Sequence, residues 1–341
     1  MEFDPSSAFC EEASSNLKAS IKNAILVPSK RGMSMKAAFI ERHGGPEVLK
    51  FGEMPDPLVA SGEVVVDIVA ASVNGADWKV REGKSNQLAR FPYILGRDFS
   101  GVVSEVGDGV RDLRVGDEVF GVCDVGQEGA YAEKIAIKAA IIARKAERLS
   151  HIDAAALALA GLTAICTIED TLKLRAGETI LIQGGAGGVA SFAIQLSKHL
   201  GAHVIATASA SNHDYLRKIG ADEIIDYNAV DFTKVVRDCD VVFDTVGGDV
   251  AQRSFTVLKP GGRAAFIASG AQAPKPDRGD VVALRPSVGR DRQHLERIVA
   301  LVAIGAVRPP EVTLYKLSEA AAAHEVSESR HFRGKLVFLV R

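Results

Sequence analysis

Residues 179–200, TILIQGGAGGVASFAIQLSKHL, constrain the fold more than any other stretch. An apolar β-branched run enters a glycine-rich turn and leaves as a helix whose apolar residues recur at helical spacing. Gly185, Gly187 and Ala190 satisfy the spacing G-x-G-x-x-G/A. The first permits the sharp turn, the second lets the backbone approach a pyrophosphate, and the third lets the helix pack close on its strand. Gly184 and Ala186 complete the turn. The amides of Gly187, Gly188 and Val189 are expected to face the phosphates, where unpaired N–H groups and the helix dipole favour negative charge. The competing reading is a tight strand-to-helix turn without a ligand.

The downstream residues favour the cradle. HVIATAS is a second strand, NHDYLRKIGA a helix closing at Gly220, DEIIDY a third strand, DVVFDTVGG a fourth and GGRAAFIAS a fifth. Alternating strands and helices of this length are βαβ units, which build a parallel sheet with ligands at the strands' carboxyl ends. An acidic residue after the second strand would hold the ribose hydroxyls and repel a 2′-phosphate. The chain instead runs Thr207, Ala208, Ser209, Ala210, Ser211, then a helix with His213, Arg217 and Lys218, which reads as an NADPH pocket. Simple N-capping by Ser209 or Ser211 is the other reading.

Ahead of this region, residues 35–140 carry short strands between glycine turns, MKAAFIE, EVVVDIVAASV, SGVVSEV, DEVFGV and AYAEKIAI, a β-rich, partly closed fold. The alanine-rich DAAALALAGLTAICTIEDTL is a helix at the boundary, and HLERIVALVAIGAV, SEAAAAHEVSES with Ser318 as N-cap, and RGKLVFLVR return the chain to the first domain. The expected organisation is an extension over 1–34, a catalytic domain over 35–155, a nucleotide domain over 156–290 and a return over 291–341, with the cleft between domains. The extension reads as one short amphipathic helix with polar flanks, a mobile segment or added leader rather than a secretory or transit signal.

The chain of 341 residues, 47% hydrophobic and 25% charged, has an ordinary globular composition, and its net charge of −2 argues against nucleic acid or a membrane surface as partner. No apolar stretch reaches the roughly eighteen residues of a spanning helix. Four isolated cysteines point to a reducing, cytoplasmic setting, and neither they nor the histidines show ligand spacing, so no metal site is expected.

The motifs SVNGADW, FPYILGRDFSGVVSEVG, VGDEVFG, GLTA, QGGAGGVASFAIQLSK, GADEIIDY and RGKLVF fall in an order that resembles the zinc-independent quinone oxidoreductase branch of the medium-chain dehydrogenase/reductase superfamily. The resemblance implies a GroES-like catalytic domain, an inserted doubly wound Rossmann domain and a homodimer joined through the Rossmann sheets. Where zinc alcohol dehydrogenases carry Cys, Gly-His-Glu and Cys, this chain reads Asn74, Gly96-Arg97-Asp98 and Leu159. That contrast implies hydride delivery from NADPH to a quinone without metal, or to an alkenal or enone. A protein that keeps NADPH and works through RNA or protein contacts is the reading of another class.

Carried over by position, Thr163 stands near the nicotinamide, Tyr227 beside the adenosine phosphate, and Thr245, Val246 and Gly247 in the turn after the fourth strand. Arg330 is carried over towards the 2′-phosphate or is a solvated helix end. Asn74 and Asp77 are the catalytic candidates: Asn74 donates its amide to acceptor or cofactor, or both residues merely bond their own turn. Trp78, Phe91 and Tyr93 either stack on a flat acceptor or pack the core.

Overall fold

The computed structural model describes residues 34–84, 90–124, 126–269 and 273–341, so the helix expected in the first thirty-four residues lies outside them. The cradle strand β9 (Thr179–Gln183) sits in a parallel sheet with β10 (His203–Ala208), β11 (Glu223–Asp226), β12 (Cys239–Asp244), β13 (Leu258–Phe266) and β14 (Val282–Leu284). The order is β11-β10-β9-β12-β13-β14, so the chain reverses direction across the sheet between β9 and β12, where ligands of doubly wound sheets bind. These strands are apolar throughout because both faces are covered. Ile180, Ile182, Val241 and Phe243 pack under the helix Gly188–His199, while Leu181 and Val242 point the other way onto Phe255, Val257 and Phe266.

A second sheet gathers β3 (Glu63–Ser72), β5 (Asp98–Val106), β6 (Glu118–Val122), β7 (Lys134–Lys138) and β8 (Ile142–Arg144) with two strands from the far end of the chain, β15 (Val312–Lys316) and β16 (Lys335–Leu339). β16 lies parallel to β15 and antiparallel to β3, so the last thirty residues complete the sheet begun at residue 63. β1 (Ser34–Ile40), β2 (Leu49–Pro55) and β4 (Tyr93–Ile94) form a three-stranded sheet.

The helix His151–Ile165 runs on into a π-helical turn, Cys166–Thr171, and joins the two lobes. Its Leu157 and Leu162 enter the core beneath the cradle helix, while Ala155 and Ala156 meet Ala70 and Val337 of the second sheet. Small residues on both sides allow that double contact. This helix with its π turn, 21 residues long, corrects the expectation that no stretch is long and apolar enough to cross a membrane; 78% of its most apolar eighteen residues are buried inside the fold, which accounts for its hydropathy.

Five strands escape sequence reading. β4 has two residues and β8 and β14 three each, and β2 and β15 alternate too weakly to show a buried face. Ser318 is also not an N-cap: it lies inside a 3-10 turn, Leu317–Glu319, and the helix starts one residue later, with Glu319 as the cap.

Candidate cofactor and substrate site

At the cradle, Gly184 has φ +75 and Gly185 donates to Thr207 O at 2.8 Å, which holds the end of β9 against β10. A side chain at Gly185 would meet Leu216 Cδ2 at 2.8 Å, whereas one at Gly187 would find Gly184 O at 3.5 Å as its nearest neighbour. The open side of Gly187 is therefore the face along which a ligand backbone can approach. The expectation for its amide needs correction: Gly187 N donates to Gly184 O at 3.1 Å, closing the turn. The amides left without an intrahelical partner start at Gly188 and Val189, the first residues of the helix. Ala186 holds the loop from outside, its carbonyl accepting from Gly334 N at 2.9 Å.

The register Ala208↔Asp226 sets Ser209 and Tyr227 side by side at the carboxyl ends of β10 and β11. Ser209 Oγ accepts from Asn212 Nδ2 at 2.9 Å, and Tyr227 is 52% exposed with its ring free to meet a ligand. Sequence reading missed the cation here. Arg333 Nη2 donates to Ser211 O at 2.8 Å and Nε to Asn212 Oδ1 at 2.7 Å, laying a guanidinium over this loop. Glu311 pairs with it at 3.2 Å, and its plane stacks on Tyr215. No local pattern could reveal it, because Arg333 is some 120 residues away along the chain. Arg330 is not at this end at all: its Nη1 donates to Val246 O at 3.3 Å and its guanidinium lies over Trp78.

Thr245 Oγ1 donates to Gln183 O at 2.7 Å, and Val246 and Gly247 take their amides back to the carboxylate of Asp244. These three residues shape the turn beside Gly184, where a side chain would meet Thr245 Oγ1 at 2.8 Å and Val246 Cγ2 at 3.0 Å. Thr163 is buried on the joining helix, which touches the cradle helix where Gly161 meets Phe192.

Asn74 and Asp77 are drawn into the protein rather than towards a ligand. Both donor hydrogens of Asn74 are used, Nδ2 reaching Asp98 Oδ1 at 2.8 Å and Ser72 O at 3.3 Å, so it has none left for an acceptor. Asp77 is fully buried; it accepts from Asn74 N at 2.9 Å and Tyr131 Oη at 2.7 Å. These bonds favour the reading in which both residues hold the protein's own structure over the one in which they meet a ligand. The remaining oxygen of Asn74 accepts from Lys335 Nζ at 2.6 Å, and the same ammonium donates to Val73 O at 2.9 Å. The Lys335 stem runs along Gly188, where any side chain would meet its Cδ at 2.6 Å. One buried lysine thus ties the cradle to the Asn74 loop, and burial holds its ammonium below the usual range.

Beneath that loop, Arg97 lies 3.4 Å from Asp77 and 2.8 Å from Glu128. One guanidinium cannot keep two buried carboxylates ionised. Burial pushes Asp77 to about 6 and Glu128 to about 8, against the pull of Arg97. The folded state therefore holds protons that unfolded carboxyls release near their ordinary values, and stability falls as pH rises from about 4.5 to 8. Glu128→Gln, whose amide oxygen still accepts from Arg97, is expected to flatten the fall of Tm between about pH 6 and 8. An unchanged slope by differential scanning calorimetry would show that Glu128 is ionised throughout.

The donor set at the three zinc positions does not fit the metal. Asn74, Arg97 and Leu159 offer an amide, a cation and an alkyl chain, and Asp98 is filled by Ser72 Oγ, Asn74 Nδ2 and Leu159 N. Elsewhere the fold brings Cys166, Asp170 and His294 within 4.8 Å, a juxtaposition the sequence does not show. His294 Nε2 is already bonded to Asp170 at 2.8 Å and Nδ1 to Asp291 at 2.7 Å, so the group closes as an ion pair. A cavity of about 380 Å³ beside Gly109, Val110 and Arg292 shares none of the cradle's residues.

A six-stranded parallel sheet of this order, with a glycine cradle opening onto a second, β-rich lobe, defines a two-lobed dinucleotide-binding protein. Residues 60–147 match the alcohol dehydrogenase GroES-like domain and residues 219–338 the zinc-binding dehydrogenase family. The chain is 32% identical to the chloroplastic NADPH-dependent alkenal/one oxidoreductase of Arabidopsis thaliana, over 97% of this chain and 86% of that protein. Among solved structures, the quinone oxidoreductase from Coxiella burnetii superposes with a TM-score of 0.82 at 35% identity, covering 91% of this chain and 100% of that one. Escherichia coli quinone oxidoreductase complexed with NADPH gives 0.82 at 29% identity, over 89% and 100%. The chain belongs to the medium-chain dehydrogenase/reductase family, among its quinone and alkenal/one oxidoreductases.

Proposed function

We propose that this protein is an NADPH-dependent reductase that delivers a hydride, without a metal, to a quinone or to the double bond of an alkenal or enone. The open face of Gly187 in front of the helix amides carries the reading. The cation laid over the Ser209 loop supports NADPH over NADH. The relatives are named for quinone and for alkenal/one reduction, which supports both acceptor classes.

When bound, NADPH supplies the hydride; the acceptor takes it together with one proton from water, becoming a hydroquinone or a saturated carbonyl. Gly188 and Val189 hold the pyrophosphate by their amides, Ser209, Tyr227 and Arg333 surround the adenosine end, and Thr245, Val246 and Gly247 wall the cleft. Thr163 borders it from the joining helix. Lys335 and Asn74 fix the spacing between cradle and substrate loop. Lys335→Met is expected to lower kcat about tenfold or more, because small misplacements of reacting groups are costly, with little change in the Kd of NADPH. A loss confined to Kd would make the lysine part of the cradle instead.

The domain limits 35–155, 156–290 and 291–341 belong to this reading, as do a cytoplasmic setting and a homodimer paired along β14, whose Val282 is 52% exposed. Light scattering tests the dimer. NADPH oxidation followed against a panel of quinones, alkenals and 2-alkenones tests the activity. Binding of NADPH without turnover of any of them would overturn it in favour of a non-catalytic NADPH-binding protein.

A further inference from the structure

We propose that the rim of the cleft at Trp78 is an anion subsite, and that the preferred acceptors carry a carboxylate beside the reducible bond. The inference rests on the reductase reading and narrows its substrate class. Trp78 lies on the short helix Gly75–Arg81 and is nearly buried, yet three cations converge on its ring. Lys84 Nζ stands 5.4 Å, Lys79 Nζ 5.6 Å and the Arg330 guanidinium 6.0 Å from the indole centroid. Cation–π attraction holds each one at about 0.5–2 kcal/mol, but the ring does nothing to cancel their mutual repulsion. Two unit charges some 8 Å apart near a protein surface repel by about 2 kcal/mol. Among the described residues, Glu82 is the one carboxylate in ion-pair contact with the three, at 2.7 Å from Lys84. Lys79 is half-buried without such a partner, and burial together with Arg330 and Lys84 holds its ammonium below the usual range.

Backbone conformation points the same way. Arg330 has φ +57 at the end of the helix Ala320–Ser329, a left-handed position that glycine or asparagine fills most cheaply. An arginine there costs about 1 kcal/mol and, among the described residues, gains no salt bridge in return. What it obtains is a guanidinium fixed on Val246 O, at the carboxyl edge of the parallel sheet, and sharing the Trp78 ring with the two lysines. Three cations assembled from two distant segments, one of them held in a disfavoured conformation, form a receptor for negative charge at the entrance to the cleft.

Trp78 is the single tryptophan of the chain, so its emission reports directly on the subsite. The full chain would be titrated with levulinate, which has a carboxylate and a ketone but no reducible double bond, and with ethyl levulinate. Levulinate is expected to change the emission saturably, with a Kd that rises about tenfold in Lys84→Gln, equal to the loss of one ion-pair contact. The ester is expected to be silent. In turnover at saturating NADPH, (E)-4-oxo-2-pentenoate should be preferred over its ethyl ester through KM, although the ester is the stronger electrophile. Added salt should close that gap, and Lys84→Gln should lower kcat/KM far more for the acid than for the ester. Equal use of acid and ester with a silent titration overturns the subsite and leaves the reductase reading standing. A saturable levulinate response with neither compound reduced does the reverse. If Lys84→Gln instead raises the Kd of NADPH and spares the acid, the cations serve the cofactor's phosphates and the proposal is wrong.

Discussion

Gly187→Val is expected to raise the Kd of NADPH at least about a hundredfold while shifting Tm by only a few degrees, since the space it fills is the ligand's and not the core's. The backbone there has φ −75 and ψ 159, an extended conformation that valine adopts readily. Its Cβ would find nothing nearer than Gly184 O at 3.5 Å, so the branched side chain projects into the open face before the helix amides. Gly185→Val is the control. That Cβ would press on Leu216 at 2.8 Å and Ala206 at 3.2 Å, so it should lower Tm as well as binding, because overpacking a core costs about 1–3 kcal/mol. Isothermal titration with NADPH and calorimetry on the two variants separate the effects. Near-native NADPH affinity in Gly187→Val would remove the cradle from the mechanism.

Arg333→Gln should change cofactor choice rather than catalysis. A charge-assisted hydrogen bond to a phosphate is worth about 1.5–3 kcal/mol, so kcat/KM for NADPH should fall about tenfold to a hundredfold and that for NADH hardly at all. Binding of 2′,5′-ADP against 5′-AMP gives the same comparison without turnover: the variant should lose the preference for the doubly phosphorylated ligand. Glu311, 3.2 Å from the guanidinium, draws part of its charge, so Glu311→Gln should strengthen NADPH binding modestly. Equal losses for both cofactors would assign Arg333 to loop packing alone.

The arrangement of the nucleotide lobe was legible because its signals are local. A β-branched strand, three small residues at set spacing and a helix identify one βαβ unit, and repetition identifies the sheet. At Asn74 and Asp77 only part of the bonding was legible: the bonds from Asn74 N to Asp77 and from Asn74 Nδ2 to Ser72 O are local, as Asx residues next to a helix start allow. The partners Asp98, Tyr131 and Lys335 come from distant segments, so no local pattern announces them. Of the two readings of Arg330, its place directly after a helix was legible, whereas its contact with Val246 was not, because a residue's place after a helix says nothing about which strand end it overhangs.

By itself, then, the chain's order of residues determined two lobes of different type, the glycine turn and the absence of a zinc-binding donor set at positions 74, 97 and 159. Those features arise from side-chain chemistry and from contacts only a few residues apart. Only tertiary packing decided that Arg333 caps the Ser209 loop, that Lys335 bridges Gly188 to Asn74, and that Lys79, Lys84 and Arg330 share one indole. Each of those contacts brings together segments that periodicity and spacing treat as unrelated. They exist because β16 closes the sheet begun by β3 and delivers the basic end of the chain to the cleft.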